Sequence, residues 1–168
     1  MKILVFSDSH GRTDSMLSVV KYLEKDVSHI LHLGDNMPDG ALLRQLFLGI
    51  PVYYIPGNCD YTGVPQDLLL EIEGKKLWLT HGHRYNVKAG IDRLSYAAEE
   101  RSADICLFGH THIASLTCIN GVVYMNPGSI SIPRGYEKTS YGVLDLSNGT
   151  QASVVEFSRE GYRVIYAL

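Results

Sequence analysis

Apolar, β-branched runs alternate with amphipathic stretches along the first two-thirds of the chain. The apolar runs are typical of buried strands, and the amphipathic stretches have the spacing of helices packed on a sheet. This alternation predicts a β-α-β-α-β start with parallel strands. The predicted strands are 2–7, 29–34 and 51–56, and the predicted helices are about 13–25 and about 40–48.

The remainder of the chain is richer in strands. Asn-Gly pairs at Asn120-Gly121 and Asn148-Gly149 are strong signals for hairpin turns, so a parallel sheet is expected to lead into antiparallel strands. The predicted elements are a strand pair over 68–80 that turns at Glu73-Gly74, a helix over about 89–101, a buried strand over 103–109, and hairpins over 115–128 and 141–159.

Composition and charge limit the number of domains and the kinds of partner that the chain is expected to have. At 168 residues, with 45% apolar and 20% charged residues, the chain is expected to form one globular domain over 1–168. A net charge of −3 argues against binding of nucleic acid polymers, which usually needs a surplus of Lys and Arg on one face. The apolar start is too short to span a membrane and lacks a cleavage site, which favours a cytoplasmic protein without a membrane partner.

Three cysteines are present, an odd number without a Cys-x-x-Cys pair. This pattern favours reduced thiols over disulfides or a zinc ribbon. Cys106 and Cys118 lie in apolar runs and are expected to be buried, whereas Cys59 lies in a polar cluster.

Metal-competent residues begin where apolar strands end, and five of the seven histidines belong to these clusters. Ligands bind outside the carboxyl ends of strands in open α/β sheets, so the clusters should converge on one edge. The other two histidines, His29 and His32, lie inside the second strand and are expected to be structural. The candidate ligands are Asp8, His10, Asp35, Asn58, His81, His110 and His112.

The spacing and the residue types of these clusters both indicate metal binding. Side chains at i and i+2 of extended backbone point to the same side, so Asp8 with His10, and His110 with His112, are each expected to present two ligands together. Carboxylates, imidazoles and one amide suit manganese, iron, zinc or nickel better than calcium or magnesium alone. Seven ligands are too many for one ion and suit two ions at the ~3.5–4 Å separation of two-metal hydrolases.

The motif order DSH, GDN, GNCD, HGH and GHTH resembles the calcineurin-like metallophosphoesterase family, in particular its small bacterial and archaeal phosphodiesterase branch. The resemblance covers Asp8 to about Ser129, and the five motifs are specific only as a set. It implies a four-layer αββα sandwich of two mixed β-sheets. It also implies one metal held by Asp8, His10, Asp35 and His112, and a second held by Asp35, Asn58, His81 and His110.

Family members commonly use manganese and hydrolyse phosphomonoesters or diesters, so the resemblance implies two divalent ions and a small phosphate-ester substrate. Nickel, iron, zinc or magnesium are alternative metals. A water activated by the ions would be the nucleophile. The residues expected to take part in catalysis are Asp35, Asn58, Cys59 and His81.

Cys59 departs from the family, which usually has a histidine there that is thought to assist the leaving group. A thiol is a weak hydrogen-bond donor and cannot offer a cationic imidazolium to the leaving oxygen. We therefore expect a preference for phosphodiesters, or for esters with acidic leaving groups such as aryl phosphates.

Substrate contacts are predicted for Arg12, His83 and Arg134, because each belongs to or follows a motif. Asn126 and Ser129 either support the site through hydrogen bonds or simply form a turn. Substrate selection is expected from the loops 36–40, 60–66, 84–90 and 130–138.

Alternatives to the two-metal enzyme remain open at this stage. The retromer scaffold subunit uses the same fold without catalysis, but it has lost ligand positions that this chain keeps. A nuclease of the family would be expected to carry a basic face and accessory segments, and a single-metal hydrolase would arise if one site bound weakly. The sequence does not predict an oligomeric state.

Overall fold

The computed structural model describes residues 2–61, 63–134, 138–158 and 161–168. Parts of the predicted loops 60–66 and 130–138 (residues 62 and 135–137), and residue 159 of the last predicted hairpin, lie outside the described residues. The strands are β1 Lys2–Phe6, β2 Val27–His32, β3 Val52–Tyr54, β4 Asp67–Ile72, β5 Lys75–Thr80, β6 Ile105–Leu107, β7 Ala114–Ile119, β8 Val122–Pro127, β9 Ser140–Asp145, β10 Gln151–Ser158 and β11 Gly161–Ala167. The helices are α1 Asp14–Leu23, α2 Met37–Leu46 and α3 Asp92–Glu100, with short 3-10 helices at Glu24–Asp26 and His83–Tyr85.

The strands form two mixed sheets. The larger sheet has the order β11-β10-β9-β1-β2-β3, and the smaller sheet has the order β4-β5-β6-β8-β7. In the larger sheet β1, β2 and β3 are parallel, while β9, β10 and β11 pair antiparallel. In the smaller sheet β5, β6 and β8 are parallel, and β4 and β7 are antiparallel edges.

The layers follow from which face of each strand is apolar. Alternate residues of β1 point to opposite faces of the larger sheet. Ile3 and Val5 belong to an apolar cluster shared by both sheets, whereas Leu4 and Phe6 pack against α1 and α2. Trp78 of β5 packs on the outer face of the smaller sheet with residues of α3. The predicted four-layer αββα sandwich of two mixed β-sheets is therefore confirmed.

Most predicted elements lie within a few residues of their predicted positions. The turns at Glu73-Gly74 and Asn120-Gly121 are two-residue hairpin turns in which both residues have positive φ, as predicted for Asn-Gly at the second. The predicted 40–48 helix begins three residues earlier, at Met37, because Asp60 caps its first turn from a distant loop. The Asp60 carboxylate accepts hydrogen bonds from the backbone N–H groups of Asn36 (3.2 Å) and Met37 (2.8 Å).

Three observations change details of the prediction. Cys106 is buried as expected, but Cys118 is exposed, because β7 is an edge strand and this residue lies near its end. His32 is the last residue of β2 rather than an interior one. Strand β11 was not predicted: most of its residues are exposed, so its sequence lacks the alternation of a half-buried strand. Across the described residues, every helix is too short or too polar to cross a membrane.

Candidate metal centre

The predicted ligands meet where the carboxyl ends of the parallel strands of both sheets lie side by side. They form two groups within which the potential ligand atoms lie no more than 4.8 Å apart. One group is Asp8, His10, Asp35 and His112, and the other is Asp35, His81 and His110.

Asp35 belongs to both groups through different oxygens. Its Oδ2 lies 3.7 Å from His10 Nε2, and its Oδ1 lies 3.4 Å from His81 Nε2. Asn58, which is exposed, adjoins the second group because its Oδ1 lies 3.1 Å from His81 Nε2. The arrangement has the form of two clusters with one shared carboxylate.

The backbone at these positions is not extended, which corrects the i, i+2 expectation. Asp8, His10, Asp35, His110 and His112 all have positive φ, between 49° and 70°. Residues with side chains rarely adopt this region, and such strain is concentrated at functional sites. Asp8 and His10 still enter the same group, as expected, whereas the two histidines of the GHTH motif enter different groups.

Close packing of the loops requires glycine at Gly57 and Gly109. A Cβ on Gly57 would collide with the Asp35 carboxylate, and a Cβ on Gly109 would collide with Ser7 Oγ and would lie 2.8 Å from Asp8 Oδ2. These glycines therefore allow the loops that carry the two aspartates to approach their neighbours.

Hydrogen bonds to the histidine rings fix their tautomers. His81 Nδ1 lies 2.8 Å from the carbonyl oxygen of Leu33, and His112 Nδ1 lies 2.6 Å from that of Ile132. A carbonyl only accepts, so each Nδ1 carries the proton and, in the neutral ring, Nε2 presents a lone pair. Ring N–H to carbonyl bonds are the usual support of metal-binding histidines.

These lone pairs face carboxylate oxygens. His112 Nε2 lies 3.1 Å from Asp8 Oδ1, a buried oxygen with no hydrogen-bond donor among the described residues. His81 Nε2 likewise faces Asp35 Oδ1. Acceptors that face acceptors in a buried site require a cation or an added proton between them. Carboxylates and neutral imidazoles are common ligands of divalent transition-metal ions, so these residues fit a metal.

The carboxylates and imidazoles also shift each other's pKa. The pKa of His112 is raised chiefly by its contact with Asp8. Burial opposes the charged form of His81, but the Asp35 and Asp8 carboxylates outweigh it and raise the pKa of that ring. The pKa of Asp35 is lowered although burial acts to raise it, because His81 stabilises the carboxylate. A bound metal ion would therefore compete with protons for the same positions.

Asp8 is held in place by the hydroxyl group of its neighbour Ser7 and by two hydroxyl groups from a segment that is distant in sequence. Ser7 Oγ donates to its Oδ2 at 2.6 Å, and Ser129 Oγ and Ser131 Oγ donate to its backbone oxygen at 2.7 and 3.0 Å. Asn126 Nδ2 donates to the carbonyl of Gly109 at 2.9 Å. Of the two alternatives left open for Asn126 and Ser129, the hydrogen bonds favour support of the site.

A second buried network lies beneath the DSHG loop. Ser9 Oγ donates to Asp39 Oδ2 at 2.6 Å, so it accepts from His32 Nε2 at 2.8 Å. Burial lowers the pKa of His32 to about 4, which keeps the ring neutral. Asp39 also accepts from Gly11 N at 2.9 Å and Asn36 Nδ2 at 2.7 Å. This network supports the structural role predicted for His32, but the prediction did not include its partners Ser9 and Asp39.

Cys59 lies at the edge of the second group. It is exposed, its backbone N–H donates to Asp35 Oδ1 at 3.0 Å, and its Sγ lies 3.4 Å from Asn58 Nδ2. Burial and the nearby Asp35 and Asp60 carboxylates raise the pKa of the thiol, so it holds its proton at neutral pH.

The three residues that were predicted to contact the substrate differ in how they are placed relative to this centre. The ring of His83 lies 5.5 Å from that of His81 and 6.0 Å from that of His110, and its buried Nδ1 has no partner among the described residues. Arg134 is exposed, and its backbone N–H donates to the carbonyl of His112 at 3.3 Å. Arg12 is exposed on the DSHG loop.

Two mixed sheets between helices, with carboxylates and histidines at their shared edge, define the class of metallophosphoesterases. The chain belongs to the calcineurin-like phosphoesterase superfamily: the model of the calcineurin-like phosphoesterase superfamily domain matches residues 1–149. The predicted family is therefore confirmed.

Relatives with assigned names support the same family. The chain is 37% identical over 158 residues to the probable metallophosphoesterase YsnB of Bacillus subtilis, covering 94% of this chain and 90% of YsnB. It is 28% identical over 169 residues to the phosphodiesterase YfcE of Escherichia coli, covering 86% and 88% of the two chains. The structure of wild-type Vps29 from Entamoeba histolytica complexed with Zn²⁺ has a TM-score of 0.80 and 19% identity over 100% of this chain and 98% of that one, a likeness of fold alone.

Proposed function

We propose that this protein is a two-metal-dependent phosphoesterase, in particular a phosphodiesterase, that hydrolyses small phosphate esters. The observation that carries the proposal is the pair of ligand groups around Asp35, in which ring lone pairs and carboxylate oxygens face one another. The phosphodiesterase name of a relative and the family membership support the reaction type. The net charge of −3 favours small substrates over nucleic acid polymers.

Each ligand group would hold one divalent ion. Asp8, His10, Asp35 and His112 would bind the first, and Asp35, Asn58, His81 and His110 would bind the second. Manganese is the first choice, with nickel, iron, zinc or magnesium as alternatives. When bound, such ions lower the pKa of a coordinated water and neutralise phosphate oxygens.

The residues of the chain position the reacting groups. The carbonyls of Leu33 and Ile132 orient the His81 and His112 rings, and the Asp35 carboxylate sets the separation of the two groups. His83, Arg12 and Arg134 would contact the substrate phosphate, His83 through its unpartnered Nδ1. Positioning and charge stabilisation of this kind supply most of the rate in phosphoryl transfer.

Leaving-group preference follows from Cys59. Its thiol keeps its proton but donates weakly, so alkoxide leaving groups would receive little help. Phosphodiesters and esters with acidic leaving groups, such as aryl phosphates, are therefore the proposed substrates.

The test is a panel of phosphomonoesters and phosphodiesters assayed with each of the five metals in turn. We expect wild-type protein to hydrolyse aryl diesters with at least one metal. Asp35→Asn should lose at least about a hundredfold in kcat/KM, because it weakens both ligand groups. Asp26→Asn, at an exposed position distant in sequence from the motifs, is the matched control and should keep wild-type activity. Equal activity of Asp35→Asn and wild type would contradict the proposal.

A protein-interaction scaffold is the second candidate function. The observation that favours it is the fold likeness to Vps29, whose name denotes a vacuolar sorting protein rather than a hydrolase. A folded wild-type protein that is inactive on every ester with every metal would favour the scaffold.

We propose further that residues 1–168 act as one domain in the cytoplasm. The free state of all three cysteines supports a reducing compartment.

A further inference from the structure

A partly apolar pocket of about 300 Å³ lies beside the candidate metal centre. Its walls include Val87, Ile91, Phe108 and Ile113, and its cationic residues are Lys88 and Arg134. Val87 and Phe108 are buried, which makes this part of the wall a packed surface rather than a loose loop. A volume of this size lies at the lower end of small-molecule sites.

The pocket is lined by residues that neighbour members of both ligand groups in the sequence. Thr111, which also lines it, stands between His110 and His112, and Ile113 follows His112 directly. The backbone hydrogen bond from Arg134, another lining residue, to His112 ties it to the same loop. Two of the four loops predicted to select substrate, 84–90 and 130–138, contribute to this pocket in their described parts.

The chemistry of the walls indicates what the pocket would accept. None of its described lining residues is acidic, while Lys88 and Arg134 are cationic. Apolar walls bind a neutral ring by burying its surface, and the two cations favour a ligand that carries a negative phosphate. An aromatic group attached to a phosphate meets both conditions.

The position of Cys59 indicates which of the two ester groups of a phosphodiester would occupy the pocket. Cys59 stands at the position that the family resemblance assigns to the leaving group; its backbone N–H donates to Asp35 Oδ1, and its Sγ lies 3.4 Å from Asn58 Nδ2. The pocket instead adjoins His110 and His112. With the leaving group placed near Cys59, which does not line the pocket, the group in the pocket would be the ester group that stays on phosphorus.

We propose that this pocket is a specificity subsite for an aromatic ester group, such as an aryl or nucleobase-bearing group, retained on the phosphate during diester hydrolysis. The proposal rests on the proposed phosphodiesterase function and adds the substrate class to it. In the reaction, water adds to phosphorus, the bond to the leaving alcohol or phenol breaks, and the product is a monoester whose aromatic group occupies the subsite.

The test compares two diesters with the same 4-nitrophenolate leaving group, one with a phenyl and one with a methyl group as the second ester. We expect wild-type protein to favour the phenyl diester by at least about tenfold in kcat/KM, since a phenyl ring buries much more apolar surface in the pocket than a methyl group does. Ser115→Phe places a ring in the pocket from an exposed position of β7, and should reduce the phenyl-to-methyl ratio to about one.

Thr117→Phe is the matched control, because it adds the same ring two residues further along β7, at a position that does not line the pocket. It should keep the wild-type ratio, and thermal unfolding of both variants checks that they fold. A wild-type protein that hydrolyses both diesters at equal rates overturns the subsite and leaves the phosphodiesterase function standing. A Ser115→Phe variant that keeps the wild-type ratio overturns the subsite as well. A wild-type protein inactive on both diesters with every metal overturns the proposed function and the subsite with it.

Discussion

At the residue scale, the candidate centre contains side chains whose polar atoms are not all paired within the part of the chain that the structure describes. When neutral, the two histidine rings anchored by carbonyls present lone pairs to carboxylates, and Asp8 Oδ1 has no donor among the described residues. Buried polar atoms are normally paired, so each exception calls for a partner. A bound metal ion would supply that partner.

Replacement of Cys59 tests the leaving-group argument. Cys59→His should raise kcat/KM on alkyl monoesters at least about tenfold, because an imidazolium can protonate a leaving alkoxide. Aryl diesters should change little, since their leaving groups need no proton. Steady-state kinetics on both substrates measures the effect, with Cys118→His, at an exposed position on β7, as the control. An unchanged alkyl rate would show that this position gives no acid assistance.

His32 gives a pH dependence with a definite sign. Burial lowers its pKa to about 4 from 6.5, so between these values the unfolded chain binds one proton more than the folded chain. The contribution of this group to the free energy of unfolding is at its maximum above pH 6.5, and it falls as the pH drops toward 4. From pH 7.5 to pH 5 this loss is about 2 kcal/mol. Urea unfolding of metal-free wild type and His32→Gln at both pH values should show a smaller loss in the variant; equal losses would refute the assignment.

At the element scale, the strands could be predicted from sequence more fully than the loops that support the site. The ligands follow apolar runs, and parallel strands bring their carboxyl ends together, so the convergence of Asp8, Asp35 and His81 was predictable. The left-handed backbone at non-glycine ligands has no clear local signal. Hydrogen bonds of Asp60 and Asp39 also join residues that are distant in sequence, and hydrophobic periodicity does not predict such contacts. The ligand roles themselves remain predictions.

The start of helix α2 is capped by Asp60, a residue of a distant loop. Asp60 accepts hydrogen bonds from Asn36 N, Met37 N and Gly57 N, and thereby joins the start of α2 to the loop that carries Asn58. Asp60→Ala should lower the free energy of unfolding by about 1–2 kcal/mol, as loss of a helix cap does. Chemical denaturation checks the value. Asp14→Ala, an exposed acidic residue in the first turn of α1, is the control and should cost less than about 0.5 kcal/mol.

At the scale of the whole molecule, the centre joins the two sheets. Asp8 and Asp35 follow strands of the larger sheet, while His81 and His110 follow strands of the smaller sheet. Each ligand group contains residues from both sides of the sandwich. Bound ions would therefore connect the sheets at this edge, and metal binding should stabilise the folded protein as well as supply its chemistry.

Metal stoichiometry tests the central proposal most directly. Metal-free protein titrated with Mn²⁺ and analysed by calorimetry and elemental analysis should bind two ions per chain, with a concentration-dependent rise in thermal stability. Asp35→Asn should bind no more than one ion with comparable affinity, because both groups share that carboxylate. Binding of a single ion to wild-type protein with every metal, or of two ions to Asp35→Asn with unchanged affinity, would contradict a two-metal centre built around Asp35.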